Sequence, residues 1–253
     1  MKKIIIISLI AAILVGIFWF SKKLHSTSNN DQNVIKVGIT ADYPPFVYLE
    51  NHKIVGFDID LINEIAKKLD KKIQFIDMAF NVLITGIQQG KIDIIVGGLT
   101  PDDQRKNHVF FTKPYLTDDP LVMVTLAPQK AKAVADLKEK IVIVNEGYTA
   151  DLYMSKIDGP ILKRLPSVSD AIMALKAGKA FAFVSALTAI NPYFKQYGKE
   201  QFNINPIENV TEEYAFVISQ KRADIYQKVE AVLNDLIAHG TVEKLKEKWK
   251  LYD

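Results

Sequence analysis

Gly97-Gly98-Leu99-Thr100-Pro101-Asp102-Asp103-Gln104-Arg105 is the stretch from which the fold is read. It follows the largely apolar run 92–96, whose length suits a short buried strand. Two glycines then permit a tight turn or a close approach to the backbone. Thr100 suits a helix N-cap, Pro101 the first helical position, and Asp102 and Asp103 the first turn, where acids favour a helix start. The stretch therefore predicts a strand end, free backbone N–H groups and, about one turn in, Arg105. Backbone donors beside an arginine fork make a corner that can hold a carboxylate. The same residues also fit a plain helix cap in which Arg105 pairs with Asp102 or another surface acid.

The chain has 253 residues, enough for one large domain or two lobes with their own cores. Its 49% hydrophobic and 24% charged residues are the balance of a globular protein. A net charge of +3, with no basic cluster interleaved with aromatics, argues against nucleic acid as a partner. The absence of cysteine excludes disulfides, thiol nucleophiles and a lipid-anchored N-terminal cysteine. His25, His52, His108 and His239 are scattered and lack metal-ligand spacing, so no metal or cofactor is expected.

Met1-Lys2-Lys3 precedes an apolar run over residues 4–20 and then Ser21-Lys22-Lys23. A basic start and an apolar stretch describe an export signal or, uncut, an anchor over 1–26. Residues 27–33 are polar and read as a linker. Beyond them, 34–39, 72–76 and 92–96 read as strands, and 58–69 and 80–89 as helices, an α/β alternation. In the loop Thr40-Ala41-Asp42-Tyr43-Pro44-Pro45-Phe46, Tyr43 and Phe46 either pack or line a pocket mouth. The pattern continues with strands at 121–126 and 141–144. The second ends in Asn145-Glu146-Gly147-Tyr148-Thr149 before a helix over 150–156.

An internal echo sets the architecture. Gln88-Gln89-Gly90-Lys91, an apolar strand and Leu99-Thr100 find a counterpart in Lys176-Ala177-Gly178-Lys179, an apolar strand and Leu187-Thr188. Each is a helix end, a Gly-Lys turn, a strand and Leu-Thr, which predicts two similarly wired lobes. The tail is helical over 223–239 and 242–249, with Gly240 between.

On Tyr43-Pro44-Pro45-Phe46, Gly56-Phe57-Asp58-Ile59-Asp60-Leu61, Gly98-Leu99-Thr100 with Arg105, Phe111-Thr112-Lys113-Pro114-Tyr115 and the tail from Gly240-Thr241 to Trp249, residues 34–253 resemble the extracytoplasmic solute-binding proteins of polar amino-acid ABC transporters, family 3. The resemblance implies a two-lobed α/β periplasmic-binding-protein type II fold. Two hinge strands, near 115–119 and 213–216, would join lobe 1 (34–116 with 217–253) to lobe 2 (120–213), with the ligand in the cleft between. It implies a monomer that hands a small carboxylate-bearing ligand to permease subunits in the membrane. By position, Arg105 would pair with the ligand α-carboxylate, helped by Thr100 and the Thr149 N–H. The Gly98 carbonyl would accept from the α-ammonium, and Tyr43 and Phe80 would enclose the side chain. Thr40, Asn145 and Tyr148 would read its distal end; Thr40 and Asn145 are uncharged, which gives no support for a basic side chain.

One departure stands out. Where many members of that family carry an aspartate for the ligand ammonium, this chain has Ala186. A buried ammonium without a counter-charge is costly. Either Glu146, Glu213 or Asp42 takes over, or the ligand is not an ordinary α-amino acid. The second case would suit a cleft enzyme acting on a cyclic carboxylate. A third reading is a ligand sensor held by an uncut 1–26 anchor.

Overall fold

The computed structural model describes residues 33–251. The 1–26 segment and the linker up to residue 32 lie outside the described residues, as do residues 252 and 253. The elements in chain order are β1 Val34–Ile39, β2 Asp42–Tyr43, β3 Val47–Glu50, β4 Lys53–Val55, α1 Phe57–Lys68, β5 Lys72–Asp77, α2 Phe80–Gln88, β6 Ile94–Leu99, α3 Asp103–Lys106 and β7 Val109–Phe111. Then follow β8 Leu116–Leu126, β9 Ile141–Asn145, α4 Thr149–Met154, β10 Ile161–Leu165, α5 Val168–Lys176, β11 Ala182–Ala186, α6 Leu187–Tyr197, β12 Phe202–Ser219, α7 Ala223–Ala238 and α8 Thr241–Lys248.

The strands line up as β10-β9-β11-β8-β12-β6-β1-β5, with β7 on β12. At one end β1 lies parallel to β5 and β6. At the other, β9 lies parallel to β10 and β11. Each parallel set is the product of strand–helix–strand units, and the two sets are the two lobes. Both units of the sequence echo are present, α2 into β6 and α5 into β11.

Residues 57–68 form a helix because Phe57, Leu61, Ile62 and Ile65 fall on one face, where all are buried. The same face of α7 buries Ile225, Val229, Leu233 and Leu236, and α7 and α8 both pack on α1. Complete burial of each such side chain is worth about 1.5–3 kcal/mol. The C-terminal helices therefore complete the core begun by the first hundred residues.

β8 and β12 run through both halves. The strand read at 121–126 begins at Leu116, five residues earlier, because its first part is the crossing itself. β12 covers 18 residues, and alternation in sequence did not reveal it, since Pro206 and several polar residues interrupt it. At the crossing Thr211 pairs with Pro120, Glu212 with Asp119, and Tyr214 with Leu116. The register shifts before Thr211 and again between Glu212 and Tyr214. Such irregularities bend a strand locally and let its two ends follow different lobes.

Candidate ligand-binding site

The Gly97-Gly98 turn is held from below. Asp58 is fully buried, and its Oδ2 accepts the N–H groups of Gly97 (2.7 Å) and Gly98 (3.0 Å) and the Tyr115 hydroxyl (2.8 Å). Burial pushes its carboxyl up to about 7, against the lowering effect of those donors. Gly98 sits at φ +68°, and a Cβ there would lie 2.7 Å from Cε1 of Tyr43. Only glycine satisfies both conditions. Tyr43 in turn stacks on Phe46 at 5.4 Å and meets Tyr148 edge-on at 5.5 Å, so an aromatic bridge joins the lobes.

The helix start falls later than the sequence predicts. The backbone N–H of Arg105 donates to Asp102 Oδ1 at 3.0 Å, so Asp102 caps α3, not Thr100. The Thr100 hydroxyl is engaged elsewhere, donating to Glu212 Oε2 at 3.0 Å. Arg105 pairs with Asp102, as the plain-cap reading expects, and also reaches beyond its own turn. Its Nε pairs with Asp102 Oδ2 at 2.9 Å, while Nη1 donates to the Thr100 carbonyl at 3.1 Å and Nη2 to the Gly147 carbonyl at 2.7 Å. Its guanidinium carbon lies 5.8 Å from the centre of the Phe80 ring. Phe80 also packs on Tyr148 at 4.2 Å. A cavity of about 370 Å³ opens beside Arg105 between the lobes, lined by Phe80, Asn81, Glu146, Gly147 and Arg164 among others.

On the lobe 2 side, the Asn145–Thr149 turn is fixed by Asp151. Its Oδ2 accepts the Gly147 N–H at 3.0 Å, and its Oδ1 pairs with Arg164 Nε at 2.9 Å. Arg105, Gly98, Thr100, Tyr43, Phe80, Tyr148 and Thr149 thus meet where the lobes close. Thr40 and Asn145 spend part of their polar capacity locally. Thr40 Oγ1 donates to the Met78 carbonyl at 2.9 Å, and Asn145 Nδ2 to the Leu165 carbonyl at 3.2 Å. Asn145 Oδ1 and Asp42 Oδ1 are buried acceptors without a hydrogen-bond partner. Burial first, then the charges of Asp77 and Asp170, raises the Asp42 carboxyl to about 6.

Of the acids named from the sequence, Glu146 is exposed and accepts from Asn81 Nδ2 at 3.5 Å, and Glu213 is exposed. Asp42, the third acid named, lies at the side-chain end, and a further acid, Glu212, one residue before Glu213, is buried against Thr100 with 4% of its surface exposed. Burial and then Asp119 raise its carboxyl to about 8, opposed by Thr100, Thr149 and Arg105. The missed signal was strand parity: Glu212, Tyr214 and Phe216 share one face of β12 and Glu213 the other. Among the described residues no group of His, Asp or Glu could hold a metal ion.

Residues 35–252 match the family of bacterial extracellular solute-binding proteins, family 3. The arginine-binding extracellular protein ArtP of Bacillus subtilis is 29% identical over 98% of this chain and 98% of its own. The putative amino-acid ABC transporter-binding protein PatH of Vibrio harveyi is 31% identical over 85% of this chain and 88% of its own. An ancestral arginine-binding protein solved with arginine superposes with a TM-score of 0.80 at 33% identity, covering 86% of this chain and 98% of the other. Matched across both lobes and the crossing strands, the chain belongs to the bacterial extracellular solute-binding proteins, family 3.

Proposed function

We propose that this chain is the amino-acid-binding component of an ABC importer, closing its lobes on one ligand and presenting it to permease subunits as a monomer. The observation that carries the reading is Arg105, which sits in lobe 1 and reaches the Gly147 carbonyl of lobe 2. A ligand α-carboxylate would take the Nη atoms now shared by the Thr100 and Gly147 carbonyls. It would bind more strongly than they do, because a carboxylate carries full charge and matches the guanidinium fork. Thr100, Thr149 and the Gly98 carbonyl would complete the backbone end of the site, with Tyr43, Phe80 and Tyr148 around the side chain. The lobe limits are 34–116 with 217–253, and 120–213. Its place of work is outside the cytoplasmic membrane, with 1–26 as export signal or anchor. The chain binds rather than transforms its ligand, as its relatives' names describe for them.

The side-chain end favours a cation. Asp77 and Asp170 both lie within electrostatic reach of Asp42 there, and Asp42 Oδ1 and Asn145 Oδ1 lack donors. A guanidinium or imidazolium would supply donors and charge together. Thr40 and Asn145, being uncharged, do not themselves support a basic side chain; the support comes from Asp42 and the acids around it. Thermal unfolding with L-arginine, L-histidine, L-glutamine and amino-free carboxylates tests it. Ligand at a hundredfold excess over Kd adds about 2.7 kcal/mol, which moves the midpoint of a chain this size by roughly 5–11 °C. A shift with L-arginine or L-histidine supports the reading, and shifts only with amino-free carboxylates would reject it.

A further inference from the structure

We propose that Glu212 is the carboxylate that receives the ligand α-ammonium, from the crossing strand and not from either lobe; this deepens the function proposed above and rests on it. The argument starts from the ligand. In an α-amino acid the carboxylate and ammonium hang from one carbon, so the protein must present opposite charges a short span apart. Thr100 measures that span. Its carbonyl accepts from Arg105 Nη1 at 3.1 Å and its hydroxyl donates to Glu212 Oε2 at 3.0 Å. A ligand with its carboxylate on Arg105 therefore has its ammonium beside Glu212.

The surroundings of Glu212 also call for a cation. Its direct partner across the β8–β12 ladder is Asp119, so two buried acids oppose each other at the crossing. Like charges opposite one another in a ladder are destabilising. Asp119 is already committed: its Oδ2 accepts the Tyr214 hydroxyl at 2.7 Å and its Oδ1 the Thr188 N–H at 3.1 Å. It thereby covers the start of α6, whose flanking residue Ala186 offers no capping side chain. Glu212 is left facing the cleft with hydroxyls from both lobes, Thr100 and Thr149. The other charged or titratable groups acting on this site are Arg105, Tyr43, Tyr148 and Tyr214. Arg105 is partly neutralised by Asp102. An ammonium would supply the positive charge that the ionised form of Glu212 needs and offset its repulsion from Asp119.

Two consequences distinguish this role from a structural one. First, the carboxyl of Glu212 sits near 8 before ligand arrives, so it is mainly protonated at pH 7. Binding an ammonium to its ionised form releases most of a proton at pH 7. Affinity then rises between pH 6 and 8 and levels off above, until the ligand ammonium itself deprotonates. Secondly, the charge can be moved. Ala186 ends β11 next to the Asp119-capped helix start, so an acid there would face the same ammonium.

The test is calorimetry on the full-length chain with L-arginine, L-histidine, L-glutamine and the amino-free analogue of L-arginine. Glu212→Gln should bind the amino acids at least a hundredfold more weakly and the amino-free analogue no worse than the wild type does. The double variant Glu212→Gln/Ala186→Asp should recover at least tenfold of the loss. Wild-type binding at pH 7 should give buffer-dependent heats that report proton release. If the wild type binds an amino acid, and Glu212→Gln binds it equally or no proton is released, this inference is wrong while the binding function stands. If no amino acid binds the wild type, the proposed function fails and the inference with it. Should Glu212→Gln fail to fold, Glu212→Asp decides: it should weaken the amino acids at least tenfold and leave the amino-free analogue unchanged, and equal losses for both would overturn the inference.

Discussion

Arg105 of α3 donates to the carbonyl of Gly147 across the cleft at 2.7 Å. The guanidinium is anchored in its own lobe by Asp102 and by the Thr100 carbonyl, and it spends its remaining fork on the opposite lobe. The latch and the proposed ligand anchor are one group, so ligand capture and lobe closure draw on the same hydrogen-bonding capacity. The ligand stabilises the closed state by the contacts it makes with both lobes at once.

Arg105→Lys keeps the charge and loses the fork. Binding of L-arginine measured by calorimetry should weaken at least a hundredfold, about 2.8 kcal/mol, and Arg105→Ala should weaken it further. A loss of tenfold or less would place the ligand carboxylate elsewhere.

Gly98→Ala introduces a Cβ at φ +68°, 2.7 Å from the Tyr43 ring. The left-handed backbone alone costs about 1–2 kcal/mol, so the thermal midpoint should fall by roughly 2–8 °C. Displacement of Tyr43 should also weaken ligand binding. Adding Tyr43→Leu should restore part of the stability by removing the collision but should not restore affinity. An unchanged midpoint for Gly98→Ala would show that the turn does not need glycine.

Stability should fall with rising pH in the ligand-free protein. Burial raises Asp42 to about 6, Asp58 to about 7 and Glu212 to about 8. The unfolded chain releases these protons at the ordinary carboxyl values, near about 4, whereas the folded chain holds them. Their contribution is full below the unfolded values and is lost as pH climbs through 6, 7 and 8. Asp136 and Asp235, whose carboxyls lie below the usual range, act in the opposite sense at more acid pH. Unfolding midpoints measured from pH 5 to 8 should decline, and saturating L-arginine should flatten the upper part of the decline. A midpoint that rises over this range would contradict the assignment of these acids.

Asp42→Asn should lower affinity for L-arginine about tenfold or more while changing that for L-glutamine less, since it removes charge but keeps an acceptor. Equal losses for both ligands would mean that Asp42 shapes the pocket without reading charge.

The fold was legible where its signals are local. The apolar face of α1, the Gly-Lys turns before β6 and β11, and the tail helices all follow from periodicity and turn chemistry. What escaped was non-local. The 18-residue β12 takes its shape from pairing with β8 and then β7 along one edge and with β6 along the other, which a scan for alternation does not detect. Glu213 was named in place of Glu212 for the same reason: which neighbour faces the cleft depends on register at the crossing. The cap moved from Thr100 to Asp102 because the Thr100 hydroxyl meets a carboxylate 112 residues away.

β12 lies between β8 and β6 in the sheet, and the helices that follow it pack on α1. The two lobes therefore differ in when they can be completed as the chain emerges from a ribosome or a translocation channel. The strands β8 to β11 and most of their partners are consecutive, and they can begin to close on themselves once about two hundred residues are out. The first-made strands, β1, β5 and β6, wait for the last-made segment before their core shuts. Contacts so distant along the chain form slowly, because closing a long loop precedes the burial that rewards it. This order of assembly leaves the leading third of the chain without its covering partners until the last segment arrives.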